Sequence, residues 1–159
     1  MENNFTVKPI GILRADEHEF FLELAPEYKR ALVGLEGFSY VNILWWFSDC
    51  DNQEEHRVLT EEKPYANGPD VMGVFATRSP QRPNPIALSC AYVTYIDAEK
   101  GVLGLAYIDA DDKSPVLDIK PYTPSLDRVE QPAVPAWCAN WPSNVETSGD
   151  FDWESELNF

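Results

Sequence analysis

Apolar residues in this chain come in short runs, broken by glycines, prolines and charged residues. Ile10-Gly11-Ile12-Leu13 reads as a short buried strand, and Phe20 to Leu24 as a second. Pro26, at the first turn of Glu27 to Leu32, predicts a short helical piece, ended by Gly34 and Gly37. Tyr40 to Phe47 is the most hydrophobic run. It is rich in β-branched and aromatic residues and too short for a long helix, so it predicts a central strand. Cys50 to Gly68 is polar and reads as a loop with room for a helical turn. Val71 to Thr77 reads as a strand. Ile86 to Ile96 alternates, with Ile86, Leu88, Cys90 and Tyr92 on one side. Val102 to Ile108 completes a hairpin with it through Glu99-Lys100-Gly101, and Pro115 to Ile119 is a last short strand. The expected fold is mainly β: a small single-domain barrel or sandwich with short helical turns. From Glu130 on, prolines, tryptophans and acids mix irregularly. This predicts a wrapping tail that frays near Phe159, with Trp137 and Trp141 pinning it. Trp45 and Trp46 are expected in the core.

Composition narrows the function classes. With 44% hydrophobic residues in 159, the chain can bury one real core. No apolar run approaches the roughly 20 residues that span a bilayer, so no membrane role is expected. Met1-Glu2-Asn3-Asn4 has no basic start followed by an apolar stretch, and a cytoplasmic location is expected. Cys50, Cys90 and Cys138 are odd in number and widely spaced. They read as reduced thiols rather than a disulfide or zinc framework. His18 and His56 stand apart from them and from each other, so no metal site is expected. The net charge of −15 weighs against a nucleic-acid partner. The few cations nevertheless gather in the middle of the chain, at Arg78, Arg82, Lys113, Lys120 and Arg128.

Two segments carry chemistry. The first runs from Gly73 to Ile86 and contains Arg78, Arg82 and Asn84 among Pro80, Pro83 and Pro85. Each proline fixes φ and restricts the residue before it, so the segment reads as a stiff loop leaving a strand. Stiffness lowers the entropy lost on binding. The arginines offer forked donors for a carboxylate or phosphate, and Asn84 offers an acceptor and two donors. The second segment is Asp109 to Asp127. Lys113, in a ligand position, excludes a calcium loop, and Asp109, Asp111 and Asp112 taken alone read as a solvated turn. Asp118 is bracketed by apolar residues in its strand. It is expected to be partly buried, with Arg78 or Lys120 as its partner.

Both segments, in this order, resemble the TsaA-like (TrmO) family of S-adenosylmethionine-dependent tRNA adenine-N6 methyltransferases. Ile10 to Arg14, Gly34 to Ser39, Gly73 to Ser89 and Asp109 to Tyr122 carry the resemblance. It implies a TsaA-like β-barrel domain over residues 1–130 with an acidic C-terminal tail over 131–159 packed on it; the additional C-terminal domain of the larger bacterial enzymes is a point of departure, and none is expected here. It also implies a homodimer with S-adenosyl-L-methionine as cofactor. By matching positions, cofactor contacts fall at Ser48, Asp49, Arg78, Leu88, Ala106, Tyr107, Ile108 and Asp109. Arg78 or Arg82 suits the methionine carboxylate, and Asp109 the ammonium. By analogy with the Asn/Asp-Pro-Pro-Tyr element of other amino-methyltransferases, Asn84 holds the acceptor amine and Tyr122 stacks on the base. Asp112 or Asp118 takes the proton. The implied acceptor is threonylcarbamoyladenosine in tRNA, methylated at N6. Because the chain is acidic, a small-molecule acceptor or a non-enzymatic cofactor-binding module stand as alternatives.

Overall fold

A computed structural model describes residues 5–158. Phe159, where fraying is expected, lies outside the described residues. The chain divides into two compact units. One holds residues 1–49 and 85–127, the other 50–84 and 128–159. The tail expected over 131–159 thus shares its unit with residues 50–84.

The first unit is a closed six-stranded barrel. Its strands are β1 (Gly11–Ala15), β2 (Phe20–Leu24), β3 (Tyr40–Trp46), β6 (Ile86–Asp97), β7 (Val102–Leu105) and β8 (Pro115–Pro121), in the spatial order β1-β2-β7-β6-β3-β8. All pairings are antiparallel. Closure removes the exposed edges that an open sheet would present. Leu13, Leu22, Val41, Ile43, Leu103 and Val116 fill the interior and are fully buried. Each such side chain contributes about 1.5–3 kcal/mol relative to exposure. The helical piece from Pro26 is a 3-10 helix, Pro26–Leu32, and Gly34 beyond it adopts φ +87°. Val102 to Ile108 is a strand only to Leu105; Ala106 keeps one backbone bond to Tyr92 of β6, and the chain then leaves the ladder. Across the hairpin, the ring of Tyr95 lies where a Cβ on Gly104 would stand, so the close approach requires glycine there.

The alternation expected in β6 is present, and the pairing with β3 decides which side faces in. Val41, Ile43 and Trp45 of β3 point inward, opposite Ala91, Ser89 and Ala87 of β6. Large residues on one strand face small ones on its neighbour, which fills the barrel without overpacking. Ile86, Leu88, Cys90 and Tyr92 therefore face outward, and Leu88 and Tyr92 are 50% and 47% exposed. The same alternation splits the tryptophan pair. Trp45 is 4% exposed and gives its Nε1–H to Ser89 Oγ at 3.0 Å, while Trp46 faces out rather than into the core.

The second unit contains a small sheet of β4 (Thr60–Glu62) and β5 (Val71–Gly73). The strand expected to reach Thr77 stops at Gly73, where a 3-10 turn, Val74–Ala76, takes over. Two short α-helices, α1 (Pro124–Asp127) in the barrel unit and α2 (Trp153–Glu156) in the second, accompany several 3-10 turns. As expected, Trp137 and Trp141 pin the tail. Trp137 stacks on Tyr65 at 5.1 Å, and Trp141 meets both rings edge-on.

Candidate functional site

In the second unit, the proline-rich loop is organised by side chains, because prolines leave it short of backbone donors. The Thr77 hydroxyl donates to the Val74 carbonyl at 3.0 Å and accepts the Ser79 N–H at 3.2 Å. The Ser79 hydroxyl accepts the Gln81 N–H at 3.3 Å, and Thr77 and Ser79 are both buried. Arg82 closes the loop. Its Nε donates to the Ser79 carbonyl at 2.6 Å, and its Nη2 donates to the carbonyls of Thr77 at 2.8 Å and Val74 at 2.9 Å. The two arginines expected to compete for one anion thus have different work. Arg82 is engaged with its own loop, and Arg78 is presented at the surface with Asn84. Phe75, 84% exposed, stands on the same loop.

In the barrel unit, the outward residues of β6, β3 and β8 form one face. A bulge between Leu44 and Trp45 shifts the register against β8, so Val116 pairs with Trp45 but Asp118 pairs with Leu44. The shift turns Asp118 outward, although Val116 two residues earlier points in. Across the face, Leu88, Leu44 and Asp118 make one row, and Cys90, Asn42 and Lys120 the next. Tyr92, Tyr40 and Tyr122 make the third, with ring centroids 5.3 and 6.4 Å apart. Of the two expected partners for Asp118, Lys120 is present, with Nζ 2.7 Å from Asp118 Oδ2. That hydrogen bond holds the Lys120 ammonium above the usual lysine range. Asn42 donates to Asp127 Oδ1 at 3.0 Å, while Asp127 Oδ2 accepts the Thr123 N–H at 2.7 Å. This pair ties α1 to the face beside Tyr122.

The structure thus brings Leu88, Asp118 and Tyr122 onto one surface. Asp112 lies elsewhere in the same unit, where it accepts the Ala15 N–H at 3.3 Å and sits 3.7 Å from Arg14. Ser48 and Asp49 are exposed in a 3-10 turn directly after β3. Ala106 remains joined to β6 through its N–H to the Tyr92 carbonyl at 2.9 Å. Beyond it, Tyr107 and Asp109 are exposed while Ile108 enters the core. Partial burial, followed by the charge of Asp109, pushes the Tyr107 phenol up from its usual value. Sequence reasoning missed Asn42 and Tyr40 on this face. The period of two along β3, carried across to β6, was the signal that could have found them.

Residues 5–128 match the family model of the tRNA-methyltransferase O N-terminal domain. The chain belongs to that family. It is 35% identical over 124 residues to a protein of Methanocaldococcus jannaschii named a probable S-adenosyl-L-methionine-binding protein, covering 77% of this chain and 96% of the other. An S-adenosyl-L-methionine-binding protein of Archaeoglobus fulgidus is 38% identical over 109 residues, covering 66% of this chain and 70% of the other. Among solved structures, TrmO from Pseudomonas aeruginosa superposes with a TM-score of 0.66 at 31% identity. That match covers 86% of this chain but 62% of the solved one, so the chain spans less than two thirds of that TrmO.

Proposed function

We propose that this protein is an S-adenosylmethionine-dependent methyltransferase that acts on the N6 amine of threonylcarbamoyladenosine in tRNA. The cofactor supplies a methyl group activated on a sulfonium. The observation that carries the reading is the loop that Arg82 organises and Arg78 tops. A guanidinium held at the surface of a pre-ordered loop suits a carboxylate, because little entropy is lost on binding. On the barrel unit, exposed Asp109 offers a carboxylate to an ammonium, and Leu88 and Tyr107 offer apolar surface.

For the acceptor, Asn84 offers a side-chain oxygen to the amine. Tyr122, on the aromatic row, offers a stacking face. Asp118 or Asp112 takes the proton, and each would have to give up a contact to do so, Asp118 with Lys120 and Asp112 with Ala15 and Arg14. The half-exposed Leu88 and Tyr92 support a homodimer through the outer face of the barrel. A tRNA acceptor puts the protein in the cytoplasm. The −15 charge favours a second reading in which the same chemistry serves a small-molecule acceptor.

Calorimetric titration with S-adenosylmethionine tests the cofactor. Wild type binds, and Arg78→Ala binds at least tenfold more weakly, a loss of about 1.4 kcal/mol. No binding by wild type defeats the reading. Mass spectrometry of tRNA nucleosides from a deletion strain tests the acceptor. An unchanged methylated-nucleoside profile leaves the small-molecule reading in its place.

A further inference from the structure

Tyr65 joins the residues after 128, beyond the family domain, to the Arg78 loop. Tyr65 is 6% exposed. Its hydroxyl accepts the backbone N–H of Arg78. Its ring stacks on Trp137 with 21° between the planes and takes the edge of Trp141 at 5.1 Å. Its backbone pairs with Leu157 in an isolated antiparallel bridge. The strand-like segment around it is clamped on both sides. Ala66 N–H donates to the Glu156 carbonyl at 2.9 Å, and Asn158 N–H donates to the Pro64 carbonyl at 3.1 Å. The Asn158 side chain reaches the Lys63 carbonyl at 2.8 Å.

Glu156 anchors the clamp. Its carboxylate is 6% exposed and accepts from Trp141 Nε1 at 3.3 Å, Asn140 Nδ2 at 3.3 Å and Asn67 Nδ2 at 3.5 Å. Burying a carboxylate without such donors is strongly unfavourable, so the anchor forms only when the tail is seated. A chain of packed groups therefore runs from the tail through Trp137 and the Tyr65 ring to the Tyr65 hydroxyl and the Arg78 backbone. All of it lies within the second unit.

We infer that Tyr65 is a positioning residue for Arg78, held in place by the C-terminal segment, and that this segment sets the affinity of the cofactor site. The inference rests on the proposed cofactor role of Arg78. The Arg78 N–H loses its fixed acceptor when the hydroxyl is removed, and the loop samples orientations that do not bind.

The test uses the full chain. Tyr65→Phe keeps the ring stack and removes only the acceptor. Titrated with S-adenosylmethionine far below its melting temperature, where it is fully folded, it binds about three- to tenfold more weakly than wild type. Trp137→Ala weakens binding as well, and Trp137→Phe, which retains a ring against Tyr65, restores it. A Tyr65 with a structural role alone would lower the melting temperature and leave the dissociation constant where it was. If wild type binds, Arg78→Ala binds weakly and Tyr65→Phe binds like wild type, the inference is overturned while the cofactor reading stands. If wild type shows no binding, both fall together.

Discussion

Replacing Arg82 with lysine keeps the positive charge and removes the fork. In the native loop, Nε and Nη2 hold the carbonyls of residues 79, 77 and 74 at 2.6, 2.8 and 2.9 Å. A hydrogen bond from a charged donor contributes about 1.5–3 kcal/mol, and a partly exposed one belongs near the bottom of that range. A single ammonium on a flexible stem can serve one of the three carbonyls, so two bonds are lost. Water reaching the freed carbonyls returns part of that energy, which leaves about 1–2 kcal/mol. If that energy orders the loop, affinity for S-adenosylmethionine falls about five- to thirtyfold. The assay is calorimetric titration of wild type, Arg82→Lys and Arg78→Ala, with thermal unfolding recorded for each. In a protein of this size the same energy lowers the melting temperature by roughly 2–8 °C. A dissociation constant within twofold of wild type for Arg82→Lys, alongside a weakened Arg78→Ala, would refute the idea that the guanidinium ladder pre-orders the loop.

Two further predictions concern the barrel. Ser89→Ala removes the acceptor of the buried Trp45 N–H and destabilises by about 2 kcal/mol, whereas Ser89→Thr keeps a hydroxyl. An Ser89→Ala melting curve that overlays wild type would show that the indole has another way to satisfy its donor. The second prediction concerns acid stability. The N–H groups of His18 and then Glu19 hold the Asp16 carboxyl below its usual 3.8, and the Lys100 N–H does the same for Asp97. A carboxyl lowered in the folded state adds stability that is fully present above 3.8 and is lost as the pH falls through the folded value. Melting temperature should therefore drop with acid below that point, and the drop should be shallower in Asp16→Asn and Asp97→Asn. An unchanged acid slope in both would contradict the turn bonds as its source.

Much of the barrel was legible in local pattern. The run from Tyr40 to Phe47 marked β3, and its length and composition excluded a long helix. Proline spacing marked the loop after β5, and glycine at 101 marked the β6–β7 turn. What local pattern could not show was which neighbour each residue meets. The end of β5 at Gly73 depends on hydroxyl and guanidinium bonds to carbonyls, and composition says nothing about those. The role of Arg82 was hidden for the same reason. Two arginines four residues apart look alike in sequence, and only the folded loop distinguishes a donor to its own carbonyls from one presented at the surface. Tyr65, in a stretch that read as polar loop, had no local signal, because its partners lie about the length of a domain away along the chain.

The outward setting of the more apolar side of β6 has a physical cause. Period-two reasoning assigns the more apolar side of a strand to the core, because burial of that side is what usually stabilises the sheet. In this barrel, β3 supplies Val41, Ile43 and an indole to the interior, and the β6 residues paired with them are two alanines and a serine, which fit without overpacking. The apolar side of β6 is left for the outside. Tyr92 meets the Tyr40 ring at 5.3 Å there, and Leu88 and Tyr92 remain half exposed. The same face carries Asp118, Lys120 and Tyr122. A covering partner or substrate would strengthen the Asp118–Lys120 pair by removing water from it, so the pair is better suited to respond to binding than to hold the fold.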